Sequence, residues 1–160
     1  MRAMGRETYG ENMTLTFRPA ALQDEKILFD WRNDPTVIAQ LSNPRAVEFK
    51  EHSRWFKSIL SCTMGDHLYI AELDGVPIGQ GRIERNYTAL NPRMDSCLIG
   101  YSIQKDYRGH GLGRQLVTFL VQQATITHGY ATVKVRVKRT NIQSALVAMG
   151  CGVHAIELFP

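Results

Sequence analysis

Tyr101-Ser102-Ile103-Gln104-Lys105-Asp106-Tyr107-Arg108-Gly109-His110-Gly111-Leu112-Gly113-Arg114 runs from an apolar segment through a polar turn into three alternating glycines. Ser96 to Ile103, with Leu98, Ile99, Tyr101 and Ile103, predicts a strand, and Leu112 to about Thr127 predicts a helix closed near Gly129. The glycines therefore lie between a strand end and a helix start, where unpaired backbone N–H groups and the positive end of the helix dipole face one point. Glycine admits left-handed backbone angles and lets an oxyanion approach the chain, and Arg108 and Arg114 can add charge-assisted hydrogen bonds. Phosphate or pyrophosphate is the natural guest. A tight turn with no ligand is the alternative when the glycines are taken alone.

Spacing narrows the choice of phosphate loop. A P-loop needs Lys-Ser/Thr after its last glycine, where this chain has Arg114-Gln115, and a Gly-x-Gly-x-x-Gly fingerprint begun at Gly109 would need glycine at Arg114. What remains is Arg-x-x-Gly-x-Gly opening a helix. With its preceding strand, this closely resembles the acyl-coenzyme A loop of the GNAT N-acetyltransferases. Downstream, Asn141-Ile142-Gln143-Ser144 and Gly152-Val153 resemble that family's Asn-x-x-Ser helix and the Gly-Phe pair that ends it. Upstream, Trp31-Arg32-Asn33-Asp34-Pro35 and His52-Ser53-Arg54-Trp55-Phe56 look like the branch with the sugar-nucleotide amine acetyltransferases of the pseudaminic-acid pathway, and more loosely the ribosomal-protein and aminoglycoside acetyltransferases. The resemblance spans about Leu15 to Val153.

It implies an α/β (α+β, three-layer) fold: a mixed, mostly antiparallel sheet flanked by helices, with splayed central strands. Acetyl-CoA would be the co-substrate, its pantetheine arm lying along Tyr101, Ser102 and Ile103. The Tyr101 amide would face the thioester carbonyl, a position from which a backbone donor stabilises a tetrahedral oxyanion. Arg108, Gly109, His110, Gly111, Leu112, Gly113 and Arg114 would hold the pyrophosphate, with Asn141 and Ser144 contacting the cofactor from the next helix. A primary amine would attack the thioester directly, which requires a base; Asp95 and Glu84, beside the strand, are candidates, or else solvated strand-end carboxylates. The tyrosine that commonly serves as acid in the family is replaced by Ala148, leaving Tyr107, Ser144 or unassisted thiolate departure. The family's final hairpin has room for only one strand here, an exposed edge that a second subunit of a homodimer would cover.

Leu15 to Arg18 predicts a strand stopped by Pro19, and Ala20 to Arg32 a helix. Asp34 can cap a short helix begun by Pro35, and Val47 to Leu60 predicts another helix. Leu68–Leu73 and Pro77–Glu84 predict a hairpin about Asp74-Gly75. Val133 to Val137 alternates as a strand, Asn141 to Met149 is a short helix, and Val153 to Leu158 a last strand. Residues 1–13 are polar enough for a flexible lead-in, leaving 14–160 as one domain.

At 160 residues, 44% of them apolar and 21% charged, the chain is neither disordered nor in need of a metal or disulfide staple. Its longest apolar run, Ala145 to Met149, is far short of a membrane span. Cys62, Cys97 and Cys151 form no Cys-x-x-Cys pair and the five histidines no ligand spacing, so no metal is expected, and a reducing cytoplasm is the simplest setting. A net charge of +4 without long basic runs favours an anionic small molecule over nucleic acid. Arg32, Arg45, His52, Arg54 and Lys57 fall in the region forming the acceptor mouth in the family, and clustered arginines suit a nucleotide diphosphate. Arg32, His52 and Trp55 are the expected acceptor contacts, the alternatives being a solvated helix face for the basic residues and a hydrogen-bonded structural role for His52, with Trp55 or Phe56 stacking a base or serving as core. The favoured acceptor is an amino-sugar nucleotide; the alternatives are an N-terminal peptide substrate of the ribosomal type and a non-catalytic acyl-CoA sensor.

Overall fold

The computed structural model describes residues 13–61, 65–86 and 96–160. Six strands form one sheet in chain order: β1 (Leu15–Pro19), β2 (His67–Leu73), β3 (Val76–Arg85), β4 (Ser96–Ile103), β5 (Thr132–Lys138) and β6 (Ala155–Phe159). The first four pair antiparallel, whereas β4–β5 and β5–β6 are parallel, as the intervening helical crossovers require. This is the mixed, helix-flanked sheet expected from the sequence. The lead-in expected over residues 1–13 lies, except for Met13, outside the described residues.

Helices α1 (Glu25–Arg32), α2 (Pro35–Ile38) and α3 (Phe49–Leu60) belong to the N-terminal third, and α4 (Leu112–Gln122) and α5 (Ile142–Met149) follow β4 and β5. Alternation along β2 sends Tyr69, Ala71 and Leu73 into a core with α4, and Leu68 and Ile70 into a smaller one with Leu28, Phe56 and Ile59. Two cores on opposite faces of one sheet make the three layers.

The hairpin turn forms at Asp74-Gly75, with φ of 48° and 79°. Three helical boundaries differ from expectation, each through local hydrogen bonding. Asp24 accepts from the Ala21 N–H and pairs with Arg18, so Leu22–Asp24 is a 3₁₀ turn and α1 starts only at Glu25. The Asn33 side chain clasps both backbone groups of Val47, holding it out of α3. Beyond α4, Gln123–Thr127 is a π-helical turn before Gly129, at φ 73°, ends the segment. Val153 also falls outside β6, because His154 docks its backbone and ring against Val133.

Candidate functional site

Hydrogen bonding between β4 and β5 covers Ser96 to Ile99 against Thr132 to Val135 and then ceases, although β4 stays paired with β3 as far as Ile103. The Gln104 N–H donates to the Ile78 carbonyl at 2.7 Å, which places the even residues of β4 towards β3. Tyr101 and Ile103 thus aim their backbone polar groups into the opening fork. The Ile103 carbonyl is taken by Arg108 Nε at 2.7 Å, while the Tyr101 amide faces the gap. A cleft of about 950 Å³ fills this fork and continues beneath the N-terminal helices. It is lined by Tyr101, Ser102 and Ile103 at its centre, by Gly109, Gly111, Gly113 and Arg114 on one side, and by Trp31, Arg32, His52 and Trp55 on the other.

The glycine loop has the geometry that its sequence calls for. Gly109 and Gly111 hold φ of 83° and 78°, and a Cβ on either would meet nothing within 4 Å, so open space lies against the backbone at the start of α4. A diphosphate fits that cradle, with amide donors and the helix dipole to receive its charge. Arg114 lies against Gly150, where a Cβ would come 2.5 Å from its Nη1. Arg108 is partly committed already: besides its bond to Ile103, its Nη1 donates to Thr36 Oγ1 at 2.9 Å, tying the loop to α2. Lys138 ties β5 to the same region through the Ala39 carbonyl, at 2.8 Å. Leu112 points into the core and His110 does not line the cleft.

Asn141 lies on the cleft wall, but its Oδ1 caps α5 by accepting from the Ser144 N–H at 3.2 Å. Ser144 Oγ and the Tyr101 hydroxyl are 2.9 Å apart, and burial pushes the Tyr101 phenol above its ordinary range. Ala148 is fully buried in the main core and does not reach the cleft, whereas Tyr107 and Ser144 both line it. Glu84 does not line the cleft; its Oε1 lies 3.1 Å from Arg82 Nε in an ion pair. Asp95 lies outside the described residues.

On the acceptor side the expected contacts separate. Arg32, His52 and Trp55 share the cleft, whereas Arg45 pairs with Glu51 and Phe56 is core at 0% exposure. Arg54 and Lys57 do not line the cleft. The sequence reading missed Gln80 and Arg82, which project from β3 into this half. Gln80, Arg82 and Glu84 alternate with the buried Gly79, Gly81 and Ile83 along β3, and polar residues at every second position of a central strand were the signal available. Arg82 lies over Gly100, where a Cβ would be 3.0 Å from its Nε. Burial, reinforced by the charges of Arg45 and Arg82, lowers the Arg32 guanidinium from its ordinary value.

Residues 14–154 match the acetyltransferase (GNAT) domain family. The chain belongs to the GNAT acetyltransferase family. It is therefore an acetyl-CoA-dependent N-acetyltransferase acting on amines. No curated protein sequence matches it significantly. Among solved structures, a domain from Methanocaldococcus jannaschii superposes with a TM-score of 0.74 at 20% identity, covering 88% of each chain. Spermidine N-acetyltransferase from Vibrio cholerae, in complex with CoA and spermine, gives 0.74 at 16% identity over 86% of this chain and 79% of that one. AAC(6')-Ib in complex with ribostamycin and coenzyme A gives 0.75 at 19% identity over 87% and 82%. At these identities the neighbours establish the GNAT fold. Among the described residues, no helix is long and apolar enough to cross a membrane.

Proposed function

We propose that this GNAT enzyme acetylates the primary amine of an anionic small molecule, an amino-sugar nucleotide being the class that fits best. The charge of the acceptor half carries the reading. Arg32 and Arg82 face it, and the one carboxylate among its described lining residues, Glu51, is already paired with Arg45. Spermine and ribostamycin, the ligands of the two complexes above, are polycations and need free carboxylates to receive them. A diphosphate needs guanidinium groups, and each arginine keeps N–H donors beyond its protein contact. Trp31 and the half-exposed Trp55 add aromatic surface for a base or sugar ring.

Gly109, Gly111, Gly113 and Arg114 hold the pyrophosphate of acetyl-CoA, and β4 pairs with its pantetheine arm as β5 pairs with the earlier residues of β4. The Tyr101 amide then donates to the carbonyl oxygen as the amine attacks, stabilising the developing oxyanion. Ser144, held by the Tyr101 hydroxyl, supplies the hydroxyl donor for the leaving sulfur.

The test combines thermal stabilisation by acetyl-CoA, CoA and ADP with thiol release in the presence of UDP-glucosamine, spermidine, ribostamycin or an N-terminal peptide. Acetyl-CoA at about a hundred times its dissociation constant adds roughly 2.7 kcal/mol of stability. Thiol release with UDP-glucosamine in preference to the polycations is expected. Preference for spermidine or ribostamycin would overturn the anionic-acceptor reading, and preference for the peptide would favour a ribosomal-type substrate.

A further inference from the structure

Two side chains in the acceptor half carry buried polar atoms that lack a protein partner. His52, on α3, is 3% exposed, and neither ring nitrogen makes a hydrogen bond. Gln80, on β3, donates from Nε2 to Ser102 Oγ at 3.2 Å, which fixes its amide and leaves Oε1 buried and unsatisfied. Both line the cleft. Buried polar atoms are almost always paired, so two orphaned groups on one cavity mark the place of a ligand that supplies what they lack. A neutral imidazole lone pair and an amide oxygen both need donors, and a primary ammonium consists of donors.

The surroundings of His52 suit proton transfer better than a structural role. Phe29, Trp55 and Phe56 enclose its ring at centroid distances of 5.5, 5.3 and 6.1 Å, a nest that a phenyl ring would fill equally well. Burial lowers its pKa, Glu25 on α1 raises it, and Arg32 on α1 lowers it. Arg82 lines the cleft from β3, and Glu51 beside it on α3 is held by Arg45. The imidazole is thereby kept neutral at neutral pH, and Glu25, whose Oε1 is itself buried without a partner, can stabilise the imidazolium once formed. Glu84 is tied to Arg82 off the cleft wall and Glu51 to Arg45, so neither described carboxylate competes for the role.

We propose that His52 is the general base that takes the proton from the acceptor's ammonium while Gln80 Oε1 holds the same nitrogen. This rests on the amine-acetylation reading above. His52 accepts one proton and passes it to solvent. The freed nitrogen lone pair forms the bond to the thioester carbon, the C–S bond breaks as the tetrahedral intermediate collapses, and the second nitrogen proton ends on the CoA sulfur.

His52→Phe preserves the aromatic nest and removes the base. With the full chain, saturating acetyl-CoA and UDP-glucosamine, it is expected to fold, to retain its stabilisation by acetyl-CoA, and to lose about 10²- to 10⁴-fold in kcat at pH 7. That loss should shrink as pH rises and free amine appears in solution, and imidazole should partly restore the activity of His52→Ala. Gln80→Leu should raise KM for UDP-glucosamine and leave KM for acetyl-CoA unchanged. A kcat for His52→Phe within threefold of wild type, or a loss equal at every pH, would overturn the proposal. If wild type does not turn over UDP-glucosamine, the acceptor class is wrong, and the imidazole ¹⁵N spectrum of the CoA complex titrated with methylammonium decides for His52. A neutral ring whose signals move on addition supports the proposal; a ring protonated at pH 7, or unmoved, overturns it.

Discussion

Gly111 holds φ of 78°, and a side chain there would enter open space, so its replacement acts on the ligand more than on the core. Gly111→Ala should cost about 1–2 kcal/mol from left-handed strain alone. Gly111→Glu should add a carboxylate at the position proposed for the pyrophosphate and abolish stabilisation by acetyl-CoA, while circular dichroism remains that of the folded chain. Unchanged acetyl-CoA affinity in Gly111→Glu would show that the loop does not hold the diphosphate. Arg82→Met should weaken UDP-glucosamine at least tenfold and leave acetyl-CoA affinity unaltered, read by calorimetric titration of each ligand; equal affinities would remove Arg82 from the acceptor site. At this scale the glycine motif was legible because a positive φ demands glycine whatever surrounds it. Arg82 was not, since a strand arginine looks like any solvated charge until its face is known. Phe56, open between base stacking and core, is core: helical spacing shows that an aromatic faces inward but does not distinguish core from cleft.

β3 passes close under α4. A Cβ on Gly81 would fall 2.7 Å from Leu120 Cδ1 and 3.1 Å from Leu116 Cδ1. Gly81→Val should therefore destabilise the chain by about 1–3 kcal/mol, visible in urea denaturation, and an unchanged midpoint would mean that the helix shifts freely over the sheet. The start of α1 depends on the Asp24 carboxylate, 3% exposed and bound by Arg18 at 2.7 and 2.8 Å. Burial pushes the Asp24 carboxyl up, but the Arg18 and Ala21 hydrogen bonds outweigh it and leave the pKa below its ordinary value. Asp24→Ala should cost about 3 kcal/mol, because it leaves Arg18 facing a half-buried pocket without its partner. Hydrophobic pattern together with cap and turn residues found the six strands and the α-helices α1 to α5, and missed the boundaries that such side-chain bonds decide.

Across the whole molecule, His67 on β2 and His128 after α4 stack at a centroid distance of 3.7 Å, joining the sheet to the end of its crossover helix. Tyr69 Oη lies 3.0 Å from His128 Nε2. Burial lowers both histidine pKa values, and for His67 the neighbouring His128 adds to the effect. Since the unfolded chain then binds protons more readily than the folded one, this contribution is complete above the ordinary pKa of 6.5 and declines as pH falls from there through the lowered folded values. The melting temperature should drop between about pH 7 and 5, and His128→Gln should flatten that slope; a slope unchanged in His128→Gln would assign it to other groups.

The order of elements, the hairpin at Asp74-Gly75 and the glycine loop at the head of α4 were determined by the sequence alone, because each depends on interactions within a few residues: hydrophobic period, turn chemistry, or a backbone angle only glycine adopts readily. The family resemblance already implied the parting of β4 from β5 and put Arg32 and His52 at the acceptor mouth, but that Gln80 and Arg82 join them in one cleft was decided only by the tertiary structure. Those residues come from α1, α3 and β3, and which face of each element is turned to the cleft follows from packing two cores on opposite sides of the sheet, a long-range balance that no local spacing encodes.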